Sequence, residues 1–80
     1  MRLKNRCIGV YTCASNRVYE VFEQSKVVSA GKAKLHYLRY FILDDGLDLK
    51  VTPADHGVKD GIPTVFYLYD QKLTLQESHA

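Results

Sequence analysis

Residues 29–46, SAGKAKLHYLRYFILDDG, decide the predicted fold class of this chain. Ser29 is suited to an N-cap, because its hydroxyl can accept a hydrogen bond from a free backbone N–H one turn further on. Good helix formers with helical periodicity follow from Ala30 to Leu43. Gly46 suits the left-handed position just after a helix. The stretch therefore predicts one α-helix, although the lysines at its start and the aspartates at its end oppose the helix dipole.

The sequence on either side of this helix is typical of β-strands. Residues 7–13 and 17–23 are rich in β-branched and aromatic residues and predict a hairpin, which Lys26–Val28 continues. After the helix come a strand at 47–52, a loop at 53–63, a strand at 64–69 and a last strand at 73–76. The predicted order is β-β-α-β-β-β. We therefore expect an α+β fold, with a single helix packed on an antiparallel-rich sheet, in one small domain spanning residues 1–80.

Composition excludes several classes of protein. The chain has 80 residues, of which 46% are hydrophobic, so a disordered chain is not expected. No apolar run approaches the roughly 20 residues needed to span a bilayer, and the basic N-terminus lacks the apolar segment of a signal peptide. Cys7 and Cys13 would lie roughly 20 Å apart in one strand, too far for a disulfide. We expect a cytoplasmic protein with reduced cysteines and no membrane contact.

The charges are segregated along the sequence. Residues 1–43 carry eight Lys or Arg against two acids, a net charge of +6. Residues 44–80 carry three Lys against seven acids, a net charge of −4. An asymmetry of this kind indicates a charged partner or self-association.

The predicted helix has two different sides. Its apolar stripe, which would pack on the sheet, consists of Ala33, Tyr37, Tyr40 and Phe41. A row of cations lies on another side at i, i+4, i+7 spacing and consists of Lys32, His36 and Arg39, with Lys34 set apart. Such a row could contact successive phosphates or an acidic protein surface. The same row of cations is equally typical of a helix face that is only solvated and binds nothing.

Tyrosine is the other unusual feature. The chain has six tyrosines and no tryptophan, and a core of this size cannot satisfy the hydroxyls of all of them. Tyr67 and Tyr69 share a strand face, opposite Phe66 and Leu68. Exposed tyrosines occur at protein interfaces and stack on unpaired bases, whereas half-buried ones simply line the core margin. The predicted partner-binding residues are Lys32, Lys34, His36, Arg39, Tyr67 and Tyr69.

Catalysis and metal binding find little support in the sequence. Asp55, His56 and Asp60 share the 53–63 loop, but their spacing matches no metal-binding loop of the EF-hand type. A cysteine with His36 or His56 would form a nucleophile pair only if the fold joined them. We predict no catalytic residue, no metal site and no cofactor.

One partial resemblance concerns residues 18–51. Ser29-Ala30-Gly31-Lys32-Ala33-Lys34 opens an aromatic-bearing helix between two strands, and this order resembles a segment of small phage- and prophage-encoded proteins. Leu35 stands where those proteins usually have an aromatic residue. The resemblance implies no biochemical activity, but it implies an accessory protein that acts on host machinery.

Three hypotheses about function follow. The first is a non-enzymatic protein that binds a partner protein, such as a host regulatory or defence complex that it inhibits, through the basic helix face and exposed tyrosines. The second is sequence-independent nucleic-acid binding by Lys32, Lys34, His36 and Arg39. The third is self-assembly into a homo-oligomer, in which the acidic half of one copy meets the basic half of another. An enzymatic function is the least favoured hypothesis.

Overall fold

The computed structural model describes residues 2–79, and all its regular elements are β-strands. The strands are β1 Arg2–Thr12, β2 Val18–Ala30, β3 Ala33–Asp44, β4 Leu47–Pro53, β5 Val58–Lys59, β6 Ile62–Pro63, β7 Val65–Leu68 and β8 Gln71–Ser78. The predicted α+β class and the order β-β-α-β-β-β are therefore wrong, and the chain is all-β. Within residues 2–79 no helix is long and apolar enough to cross a membrane.

Six of the strands close into an antiparallel barrel. Their order around the barrel is β1-β2-β3-β4-β7-β8, and β8 pairs with β1 from Gly9↔Ser78 to Thr12↔Thr74. Apart from the closing β8–β1 pair, every neighbour around the barrel but one follows in chain order, as in an up-and-down meander. The exception is the β4–β7 step, where β5 and β6 form a separate two-stranded hairpin.

The predicted helix is the end of one strand and nearly all of the next. β2 and β3 pair through nine successive residue pairs, from Phe22↔Phe41 to Ala30↔Ala33. Gly31, with φ 63°, opens the two-residue loop between them, the position that glycine takes in a type II′ turn. Asp45 and Gly46, both with positive φ, form the next two-residue loop, as Asp-Gly does in type I′ hairpins. Gly46 thus begins a hairpin return rather than ending a helix.

The other predicted elements are confirmed. The segments 7–13, 17–23, 47–52, 64–69 and 73–76 fall largely within β1, β2, β4, β7 and β8. Their β-branched and aromatic residues suit a pleated, half-buried surface. The predicted 53–63 loop is irregular except for the short β5–β6 hairpin.

Aromatic packing organises the barrel core. Tyr11 and Phe66 are completely buried and meet edge to face, with ring centroids 5.2 Å apart. The Tyr11 hydroxyl donates a hydrogen bond to the carbonyl oxygen of Pro63. Ile62, from the β4–β7 connection, is buried in the same cluster. The connection is therefore held against the core and is not a free loop.

Parts of three strands, β1, β2 and β3, extend beyond the barrel and form a projecting arm. β3 pairs with β4 only from Tyr40 onward, and β1 pairs with β8 only from Gly9 onward. Among the described residues, 24–38 of the β2–β3 hairpin therefore pair only with each other, with Arg39 and with residues 2–5 of β1, and Arg6 follows opposite Glu23. We call residues 2–6 and 24–38 the arm. It explains the long axis of the molecule, whose extents are 47 × 28 × 22 Å.

Candidate binding arm

The arm holds most of the positive charge of the chain. Residues 2–6 and 24–38 contain six Lys or Arg and no acid, whereas the rest of the chain contains five Lys or Arg and nine acids. By formal charge the arm is +6 and the remainder −4. The charge segregation of the sequence is therefore a segregation in space, which favours attraction of an acidic partner to the arm.

The two faces of the arm carry different side chains. Cross-strand partners share a face, and successive residues of a strand alternate between faces. Lys34, His36 and Leu38 of β3 lie on the inner face, which continues the core-facing side of the barrel as far as Ile42. An open groove runs along the arm and is lined by Lys4, Ser25, Lys26, Val27, His36, Tyr37 and Leu38. Leu35 and Tyr37 lie on the outer face together with Arg39.

The predicted row of cations is not formed. Lys32 lies in the loop at the tip of the arm, and His36 and Arg39 lie on opposite faces of β3. The prediction is wrong because a helix repeats every 3.6 residues and a strand every two. Instead the structure places Lys34, which the helical wheel set apart, on the same face as His36. Neither Lys32 nor Lys34 forms an ion pair with any residue in the 2–79 range.

Arg39 is engaged within the protein. Its Nη1 donates to Asp48 Oδ1 at 3.0 Å, and its Nε donates to Gln24 Oε1 at 2.8 Å. Gln24 Nε2 donates in turn to Asn5 Oδ1 at 3.0 Å. The guanidinium also lies 4.7 Å from the centre of the Phe41 ring. The hydrogen bond between Arg39 and Asp48, and their opposite charges, raise the pKa of Arg39 and lower the pKa of Asp48. Arg39 thus ties four strands together at the base of the arm.

The structure places Tyr67 and Tyr69 on the barrel and not on the arm that holds Lys32, Lys34 and His36. Tyr67 is 42% exposed on β7, on the face opposite the buried Phe66 and Leu68, as predicted. Tyr69 is 82% exposed and lies in the β7–β8 turn with a φ of 55°. That turn and residues 13–15 line one hollow. Because β1 runs from the arm at residue 2 to this loop, Tyr69 lies at the end of the barrel opposite the arm.

Sequence reasoning missed the apolar side chains of the arm. Five large ones are at least 41% exposed: Leu3, Val27, Leu35, Tyr37 and Leu38. The helical pattern had assigned Tyr37 to a buried stripe, which is wrong. Its ring instead lies 5.0 Å from the Lys26 ammonium. A cluster of exposed apolar groups of this kind is typical of an interaction surface. In the sequence, the two-residue loops on either side of β3 indicate a strand between two hairpins, and the side chains of a strand alternate between its two faces.

Among residues 2–79, no strand pairs with the β3 edge of the arm or with the β1 edge before Gly9. β3 pairs with β2 on one side, but residues 33–39 have no strand on the other side within the described chain. An edge of this kind presents free backbone N–H and C=O groups to another chain. The arm therefore offers backbone groups as well as charge and apolar surface.

A thiol cluster lies at Cys7, next to the base of the arm. Cys7 Sγ is 3.6 Å from Glu20 Oε2 and 3.5 Å from His79 Nδ1. Burial raises the pKa of the Cys7 thiol, and the charge of Glu20 raises it further. A protonated thiol is a poor nucleophile. The histidines considered from the sequence, His36 and His56, do not contact either cysteine in the structure.

The 53–63 loop forms no metal site. Asp55, His56 and Asp60 are all exposed. Across residues 2–79 no group of three His, Cys, Asp or Glu side chains is arranged to hold a metal ion.

Comparisons with family models, with curated proteins and with solved structures found no match to this chain. The resemblance of residues 18–51 to phage-encoded proteins therefore stays a prediction. Residues 33–43, which that resemblance took as a helix, lie in β3.

Proposed function

We propose that this chain is a non-enzymatic binding protein whose arm contacts an acidic surface of a partner protein. The observation that carries the proposal is the projecting arm itself, which has a formal charge of +6 and no acidic residue; Glu23, just outside the arm, pairs with Arg6 at 3.3 Å. The arm replaces the basic helix face as the binding element. The proposal keeps the cytoplasmic accessory role, in which the protein inhibits or regulates a complex of another organism.

A protein partner is favoured over a nucleic acid by the apolar groups between the cations. Leu35 and Leu38 are 46% and 57% exposed, and Tyr37 is 49% exposed. Phosphate contacts require only cations, whereas burial of a Leu side chain against a partner stabilises a complex by about 1.5–3 kcal/mol before the costs of binding. The mixture of aromatic, aliphatic and cationic groups is typical of the centre of a protein interface.

Nucleic-acid binding is the second candidate, because of the shape of the arm. A two-stranded β-ribbon fits the major groove of B-DNA, and beyond Val27 the described residues of the arm form two strands. Lys32 and Lys34 near the tip could contact phosphates on either side of such a groove. This binding would fall steeply with salt and show little preference for sequence.

Affinity capture from a lysate, with and without nuclease, tests the proposal. The test variant is Lys32→Glu/Lys34→Glu, and the matched control is Lys50→Glu/Lys72→Glu, which makes the same charge change on exposed barrel positions. We expect a partner that resists nuclease, is lost with the arm variant and is kept with the control. A partner that survives the arm reversal would refute the arm as the binding element.

Two further measurements separate the alternatives. A gel shift with single- and double-stranded DNA and RNA at low salt supports the second candidate if the arm reversal abolishes it. Light scattering at low and high salt shows self-assembly if the mass falls as salt screens the contact between arm and barrel.

A further inference from the structure

We propose that the partner contributes an extended segment that adds as an antiparallel strand to the free edge of β3, along residues 33–39. This segment carries acidic side chains on one face and apolar side chains on the other. The inference rests on the proposed function, because it specifies how the arm holds a partner protein. Strand addition of this kind gives affinity through backbone hydrogen bonds and specificity through alternate side chains.

The direction of the backbone groups defines which residues receive the added strand. In an antiparallel pair, residues alternate between those that exchange hydrogen bonds with the partner strand and those that do not. Ala33 pairs with Ala30 across the two-residue loop and therefore turns its N–H and C=O toward β2. Lys34, His36 and Leu38 consequently turn theirs toward the open edge. Tyr40, the next in this series, is where pairing with β4 begins.

The side chains along the edge determine the chemistry of the added segment. A strand places its side chains beside those of its neighbour on the same face. Residues opposite Lys34 and His36 would lie on the inner face, where acidic groups meet cationic or hydrogen-bond-donating ones. Residues on the other face would lie beside Leu35 and Tyr37, where apolar groups are favoured. The complementary segment therefore alternates acidic and apolar residues.

The charge of the arm argues against a second copy as the occupant. Two β3 edges brought together would set one arm of formal charge +6 against another, and the arm has no acid to offset that charge. Like charges across a strand pair are destabilising. Lysines are a known protection of edge strands against self-association. Here they exclude further copies of the arm and leave the edge open to an acidic strand.

Binding of a synthetic peptide tests this inference. The probe is an acetylated, fluorescently labelled eight-residue peptide that alternates glutamate and valine, and its counterpart alternates lysine and valine. We expect the glutamate peptide to bind in fluorescence anisotropy and the lysine peptide not to bind. Lys34→Glu should weaken the glutamate peptide at least about tenfold, whereas Lys50→Glu on the barrel should leave its affinity within about twofold. No saturable binding of the glutamate peptide would overturn the inference.

N-methylation of the probe distinguishes strand addition from charge attraction. Residues opposite Lys34 and His36 exchange backbone hydrogen bonds with the edge, so methylation of the glutamate nitrogens removes donors that the complex needs. We expect this peptide to lose at least about tenfold in affinity, while methylation of the valine nitrogens has a much smaller effect. Equal affinity of the two methylated peptides would overturn strand addition. The lysate capture tests arm binding separately, so that the proposed function can stand when this inference fails.

Discussion

Raising the pH from 7 to 11 tests the packing of Tyr11 in the barrel core. Tyr11 is completely buried and donates its hydroxyl proton to Pro63. Burial, with a smaller effect of the charge of Tyr40, raises its pKa from 10.0 to about 12. The protonated form therefore contributes stability that is fully present below pH 10. That contribution is lost as the pH rises from about 10 through about 12, because the unfolded chain releases the proton first.

The size of the effect follows from the two pKa values. A shift of about two units corresponds to up to about 2.7 kcal/mol, of which about 1.4 kcal/mol is lost by pH 11. Tyr11→Phe provides the control, since phenylalanine does not titrate. At pH 7 this variant should be less stable by about 1 kcal/mol, the usual net contribution of one hydrogen bond. At pH 11 the two proteins should have nearly equal stability.

Urea denaturation followed by far-UV circular dichroism measures both free energies of unfolding. The comparison of the two proteins at each pH removes the contribution of the other groups that titrate in this range. If wild type keeps the same advantage over Tyr11→Phe at pH 7 and pH 11, Tyr11 does not hold its proton in the core, and the packing described for the barrel is refuted.

Three further substitutions test the barrel seam, the thiol cluster and the Arg39 network. In Gly9→Ala the new Cβ would lie 2.6 Å from a backbone oxygen of β8, so the free energy of unfolding in urea should fall by about 1–3 kcal/mol; an unchanged midpoint contradicts closure of β1 on β8. Glu20→Gln should lower the pKa of Cys7 and speed its alkylation by iodoacetamide at pH 8, and an unchanged rate argues against their contact. Asp48→Asn should cost less than about 1 kcal/mol at pH 7, because its pair with Arg39 is exposed. The lowered pKa of Asp48 means that wild type loses this advantage as the pH falls through that pKa; an advantage that persists at pH 2 has another origin.

Most strands of this protein could be predicted from local signals. Residues 7–13 and 64–69 are dense in β-branched and aromatic side chains, and turn-forming residues bound them. The prediction of a helix at 30–43 is wrong, because it rests on the local helix propensity of these residues. Pairing with β2 along nine residue pairs decides the outcome, and tertiary context of this kind overrides propensity. The dipeptide Asp45-Gly46 is a strong hairpin signal, but after a helical pattern its glycine also fits the position just past a helix end.

The candidate site could be predicted only in part. The sequence identifies Lys32 and Lys34 as members of a basic segment, and the structure places both at the exposed end of the arm. The sequence could not show that Asp48 binds Arg39, since that contact joins two strands. The exposure of Leu35 was also hidden, because nothing in a local pattern states which faces of a strand remain uncovered.

The sequence alone determined the separation of charge and the positions of most strands, since both are properties of short stretches of chain. Only the tertiary structure decided that the positive part is an arm. This depends on where strand pairing stops, at Tyr40 of β3 and Gly9 of β1. The tertiary structure also determines which cations form hydrogen bonds with barrel residues, as Arg39 does with Asp48. These are long-range outcomes, because strand register and barrel closure join residues that are far apart in the chain.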